Sequence, residues 1–192
     1  MSATMKTHGL ILFLAGPDVL DDEHMEALYE AGCDDALFGE RDGAQYAAFD
    51  REAESFSDAL ASAIHDVRNA ISGLQVVRVE PDELVTLSAI ADRSGRSREY
   101  IRLLSTGARG PGGFPAPVAY VDHKTRLWHW PDIAHWLTDH GKAKVEVDAE
   151  GADLVAALNA AYDLREHSRH LQEERDVALI AEVLGDLPLA HT

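Results

Sequence analysis

TLSAIADRSGRSREYIRLLSTGARGPGGFPAPVAYVDHKTRLWHWPDIAHWL, residues 86–137, is the stretch whose reading decides the fold. Thr86 is an N-cap type, and Leu87, Ile90 and Ala91 after it fall at helical spacing. Ser94-Gly95 interrupts that helix. Ser97 caps a second one, with Ile101 and Leu104 inward and Arg98, Glu99 and Arg102 outward. Two short helices joined by a glycine-containing turn form a helix-turn-helix, whose second helix enters the major groove of DNA. Residues 107–113 carry four glycines and a proline and are expected as a flexible wing or connection. Phe114-Pro115-Ala116-Pro117 is extended, because each proline pushes its predecessor out of the α region. Two strands, Val118–Val121 and Arg126–Trp130, are expected around a turn at Asp122–Thr125. Pro131 then suits the first turn of a helix with Ile133, Trp136 and Leu137 on one face. The sum is a winged helix-turn-helix.

Four pieces of this stretch, AIADRSGRSREYIRLL, GGFPAPV, RLWHW and DIAHWL, occur in one order and spacing. Through them the chain resembles the AlpA-type phage regulators and excisionases of the MerR-like winged-helix group, over about a quarter of its length. Arg96 departs from the small apolar residue usual at that position, and adds a candidate phosphate contact. The resemblance implies sequence-specific binding to double-stranded DNA, as a homodimer or as several copies on one site.

The charge of the chain is −17, an unusual total for a nucleic-acid binder, but it is unevenly spread. Residues 88–130 hold seven basic and three acidic side chains, net +4. Residues 1–87 are at −13 and residues 131–192 at −8, so the one positive block coincides with the helix-turn-helix. A local basic face is what phosphate contact requires, and the acidic remainder opposes loose binding. On the second helix Arg98, Glu99 and Arg102 are assigned to base edges, and Arg96, Ser97, Arg109, Lys124 and Arg126 to phosphates.

Upstream, His8–Ala15 is an apolar run of strand length after a disordered start at residues 1–7. Asp21-Asp22-Glu23 opens a helix. Asp42-Gly43 between Ala36–Arg41 and Ala44–Asp50 is a hairpin signal, since both turn residues tolerate positive φ. Ser55–Asp58 reads as a capping box before a helix with Leu60, Ile64, Val67 and Ile71 on one face, and Leu74–Val79 is a last strand. The order βαββαβ is that of a ferredoxin-like domain. The expected fold class is therefore α+β: a ferredoxin-like domain at 1–82, a winged helix-turn-helix at 83–140, and C-terminal helices at 141–192. The connection Glu80-Pro81-Asp82 is short enough to couple the first two. In the last segment a long helix is expected over 149–175, with Leu154, Leu158 and Tyr162 as dimer-interface candidates, and a second helix holding Val177, Ile180, Val183 and Leu184.

Other chemistry is poorly supported. The glycine-rich segment lacks the Gly-Lys-Ser/Thr ending of a phosphate loop. His167 and His170 sit among Glu166, Glu173 and Glu174 as on a solvated charged helix, without a zinc pattern. The acid pairs Asp21-Asp22 and Asp34-Asp35 are assigned to capping. Trp128, Trp130 and Trp136 are assigned to a small core. No nucleophile with a base is evident, so no enzyme, metal or cofactor is expected. Cys33 is alone, no apolar run is long enough to span a bilayer, and a cytoplasmic setting is expected. The function expected is a DNA-binding transcription regulator, with a protein partner or small ligand at its N-terminal domain. The alternative is an antitoxin or adaptor whose acidic N-terminal domain binds a partner and whose DNA binding regulates its own operon.

Overall fold

The computed structural model describes residues 4–80, 83–119 and 125–185. Its architecture is mixed α+β. The first unit runs β1 (Lys6–Ala15), α1 (Asp22–Glu30), β2 (Ala36–Arg41), β3 (Ala44–Ala53), α2 (Phe56–Ala70) and β4 (Gln75–Glu80). These strands form one antiparallel sheet in the order β2-β3-β1-β4. β1 begins at Lys6 rather than after a disordered start, because its first residues pair with Ala53 and Glu52 of the long central strand. The hairpin turn lies at Asp42-Gly43, with φ of 54° and 83°, the left-handed pair that a two-residue turn requires. Asp21 and Ser55 cap α1 and α2 by accepting from Glu23 N and Asp58 N.

Period-two alternation puts Leu10, Leu12 and Leu14 of β1 on the helix-covered face with Phe49, Leu28, Leu60, Val67 and Val79. Each such side chain, fully buried, contributes about 1.5–3 kcal/mol. One charge lies in this layer. Arg51 is 7% exposed and donates to both oxygens of Asp35, at 2.9 and 2.8 Å, to Asp66, and to the Gly32 carbonyl. Its hydrogen bonds hold the Asp35 carboxyl below the usual range, against the opposing effect of burial. Asp35 thus anchors Arg51 instead of capping a turn. Burial, reinforced by Asp66, pushes the Cys33 thiol up to about 12.

A second core is built on β5 (Leu84–Val85), α3 (Leu87–Ser94), α4 (Arg98–Ser105), β6 (Trp128–His129) and α5 (Trp130–Asp139). Trp128, Trp130 and Trp136 are 3%, 7% and 7% exposed, packed with Ile90, Ile101, Leu104, Ile133 and Leu137. Of the expected pairing of Val118–Val121 with Arg126–Trp130, the described residues show Val118 N donating to the Leu127 carbonyl and Ala119 bridging Leu127, while residues 120 and 121 lie outside them. The turn beyond it lies outside the described residues. Trp128–His129 pairs instead with Leu84–Val85, a strand too short to show a period in sequence. One indole pins the glycine-rich segment and another the proline stretch after it: Trp136 Nε1 donates to the Gly112 carbonyl at 3.2 Å and Trp128 Nε1 to the Pro115 carbonyl at 3.1 Å. At Gly110, φ 90°, a Cβ would meet Leu104 Cδ2 at 2.7 Å, so this close approach requires glycine.

The helix expected over 149–175 ends earlier, as α6 (Ala149–Ser168), and the expected second helix is α7 (Glu174–Gly185). α6 crosses both cores. Ala152 joins the second core, while Val155, Leu154, Leu158 and Tyr162 pack on the first. Leu154, Leu158 and Tyr162, the expected dimer-interface candidates, are therefore partly buried within the chain. Asn159, 1% exposed, seals the edge strand β4: its Oδ1 accepts from Val79 N at 2.8 Å, and its Nδ2 donates to the Val79 carbonyl at 2.9 Å and to Glu83 Oε2 at 2.8 Å. Arg165 adds a donor to the Val76 carbonyl. A side-chain amide thus replaces a fifth strand, one of the ways an edge is protected. Among the described residues, no helix is long and apolar enough to cross a membrane.

Candidate nucleic-acid interface

α3 and α4 are each fixed by sequence at both ends of their turn. Thr86 Oγ1 accepts from Ala89 N, and Gly95 at φ 64° closes α3 in the left-handed conformation. Ser97 accepts from Tyr100 N and starts α4. Buried Ser94 returns its hydroxyl to the Ile90 carbonyl at 2.7 Å, so the turn between the helices carries no unpaired hydroxyl. Ile101 and Leu104 hold α4 down on the second core, which leaves Arg98, Glu99 and Arg102 facing solvent.

Three of the sequence-assigned residues meet. Arg98 and Arg102 of α4 and Arg126 beside β6 line one open groove of about 260 Å³, together with the hydroxyl residues Ser88, Ser105 and Thr125. The hydroxyls come from three separate elements and show no local spacing, which is why only the arginines were legible in sequence. Thr86, the α3 cap, lies on the same rim.

The other assignments separate from the groove. Arg96 Nε donates to the Lys142 carbonyl at 2.5 Å, and its guanidinium lies 4.8 Å from the Tyr100 ring centre. Arg109 approaches the same ring at 5.0 Å. Arg96 is thus committed to bracing the segment before α6, and Tyr100 bears two guanidiniums. Ser97 is spent as a helix cap. Lys124 lies outside the described residues. Arg93, on the inner side of α3, lies 5.1 Å from the Trp130 ring centre.

Within α4, Glu99 and Arg102 form a fork. Arg102 Nε donates to Glu99 Oε2 at 2.8 Å and Nη2 to Oε1 at 2.7 Å. These hydrogen bonds hold the Glu99 carboxyl below the usual range and raise Arg102. Both side chains are exposed, so solvent screens the pair and an incoming acceptor can exchange for it. The groove therefore presents two guanidiniums, a third that is oriented by a carboxylate, and the hydroxyls of Ser88 and Thr125, while the Ser105 hydroxyl donates to the Arg102 carbonyl. That set matches phosphate oxygens and guanine edges, and Glu99 adds an acceptor suited to a cytosine amino group.

Comparison with protein-family models, with curated proteins and with solved structures returned no match.

Proposed function

We propose that this chain binds double-stranded DNA in a sequence-specific way and acts as a transcription regulator. In this reading residues 83–140 are a winged helix-turn-helix with α4 as the recognition helix. The observation that carries it is the convergence of Arg98, Arg102 and Arg126 on one groove beside a helix capped at its start and packed on its inner face. The sequence resemblance to AlpA-type regulators points the same way, as does the local charge of +4 in a chain of −17. The first unit is read as ferredoxin-like, supported by the antiparallel strand order β2-β3-β1-β4 and by helices on one face. Its role is sensing or partner binding. A homodimer doubles the contacts of a small recognition unit on a two-fold site. The experiment that tests this function is genome-wide immunoprecipitation of the tagged protein: discrete peaks sharing one sequence support it, and a profile equal to the untagged control refutes it.

A second reading, an antitoxin or adaptor, is favoured by the −13 charge on residues 1–87 and by α7, none of whose side chains is buried. Co-purification of one basic protein in stoichiometric amount distinguishes it.

A further inference from the structure

Where the two cores and α6 meet, the chain forms an open pocket of about 250 Å³. Its walls are Phe56 from the start of α2, Trp130 from the start of α5, and Val147 and Val155 from the strap and helix of the C-terminal segment. These apolar side chains come from every unit of the fold, so an occupant touches all of them at once. The polar groups on the lining are Glu83, Glu146, Asp148 and Arg93. Arg93 lies against the Trp130 ring, and its charge is the one positive among them.

The carboxylates are not free-floating. Burial pushes the Glu83 carboxyl up, but hydrogen bonds from Asn159 and the charge and donors of Arg78 outweigh it and hold the group ionised. Asp148 caps α6 by accepting from Gly151 N, and Glu146 meets Lys6 at 3.2 Å on the surface. A larger crevice of about 730 Å³ opens beside the cavity and shares Phe56, Glu146, Val147 and Asp148 with it. It adds the carboxylates Glu54 and Glu150, His8, and the basic groups Lys6 and His135, which pair with Glu146 and Asp153. His8 Nε2 is buried without a hydrogen-bond partner among the described residues, a rare condition for a ring nitrogen.

We propose that this junction is a binding site for a small cation with a flat apolar body. Phe56 and Trp130 supply aromatic walls for the body, with the Arg93 guanidinium already seated 5.1 Å from the Trp130 ring centre. The excess of carboxylates selects positive charge, and the chain's total of −17 draws a cation in and repels an anion. The cavity is slightly below the ~300–1,000 Å³ of pockets that bury drug-sized ligands, so the body is a fused bicycle rather than a larger ring system. Its charged tail extends into the crevice toward Glu146 and His8. The site gives the sensing role in the proposed function a location. It lies between the units rather than inside the N-terminal one, with Arg93 tying it to the helix preceding α4.

The test is calorimetric titration of the full chain, without DNA, so that its outcome is independent of the DNA-binding reading. Three indoles of one body and different charge serve as probes: tryptamine (cation), tryptophol (neutral) and indole-3-propionate (anion). Tryptamine is expected to bind about tenfold more tightly than tryptophol, and the anion about tenfold more weakly than tryptophol, as charge near a partly desolvated carboxylate requires. Ala152→Leu, which fills the cavity with apolar atoms, is expected to weaken tryptamine at least about tenfold. Glu146→Gln, at an exposed position, is expected to weaken tryptamine about threefold and leave tryptophol unchanged. Circular dichroism and melting of both variants establish that they fold; if Ala152→Leu does not, Glu146→Gln carries the test. Absence of tryptamine binding at millimolar concentration overturns the proposal. So does equal affinity for the three probes, or affinity unchanged in both folded variants.

Discussion

Replacing Asn159 by Leu removes the clamp that joins α6 to β4 while keeping the branching and the number of side-chain heavy atoms, with two bulkier methyls in place of the amide. Three hydrogen bonds disappear, each with a net contribution of about 1 kcal/mol. The replacement also leaves Val79 N and its carbonyl facing an apolar side chain, and each stranded buried group costs about 1–3 kcal/mol. Some of this is offset by the apolar burial that Leu gains at a site 1% exposed. The expected loss is about 3–5 kcal/mol, a large share of the 5–15 kcal/mol that holds a typical domain. Urea unfolding followed by tryptophan fluorescence and by far-ultraviolet circular dichroism measures it, with the midpoint falling and the slope unchanged. Asn159→Asp sharpens the case. The carboxylate still accepts from Val79 N but faces the Val79 carbonyl and the ionised Glu83. Its own pKa is raised in the folded state, so its penalty is largest at neutral pH and shrinks as pH falls and it protonates. A loss under about 1 kcal/mol for Asn159→Leu would refute the reasoning, because it would mean that water or neighbouring groups satisfy the edge without the amide.

Three further outcomes are expected. Arg102→Ala weakens binding to a selected site by about 1–3 kcal/mol and binding to random duplex by less, whereas Glu99→Gln releases Arg102 and tightens random binding; competition with both duplexes reads the two effects. Val177→Glu with Leu184→Glu, on the bare apolar stripe of α7, converts a sedimenting dimer to monomer, and an unchanged dimer places the interface elsewhere. Asp35 and Glu83 have folded pKa values below their ordinary 3.8 and 4.5, so their contribution is complete above about pH 5 and is lost as pH falls through the folded values; Arg51→Met, which leaves Asp35 beside Asp66, recovers relative to the parent over the same descent, as acid melts at stepped pH would show.

Much of the first unit was legible because its signals are local. Alternating leucines, Asp42-Gly43, Ser55 and the helical spacing of Leu60 and Val67 each fix one element without outside help. The capped turn between α3 and α4 was legible for the same reason, through Thr86, Gly95 and Ser97. What escaped was long-range. Leu84–Val85 is a strand only because Trp128–His129 lies beside it. Leu154, Leu158 and Tyr162 have the spacing of a dimer stripe, and nothing local distinguishes a partner chain from β4 and α2 of the same chain. The site divides along the same line. Arg98, Arg102 and Arg126 were found from outward position and charge, but Arg96 was bound to a carbonyl 46 residues away. The hydroxyls of Ser88, Ser105 and Thr125 acquire meaning only when three elements meet.

The measurement that bears most directly on DNA recognition is a fluorescence anisotropy titration of the full chain on a duplex enriched from a random pool and on its scrambled counterpart, from 50 to 200 mM salt. With Arg98 and Arg102 on base edges, the one phosphate-facing groove guanidinium in each protomer of a dimer, Arg126, predicts a slope of about −2 for log K against log salt, with the enriched duplex bound at least about 10³-fold more tightly than the scrambled one. Equal affinity for both duplexes at every salt concentration, or no binding of either at 50 mM, would contradict it.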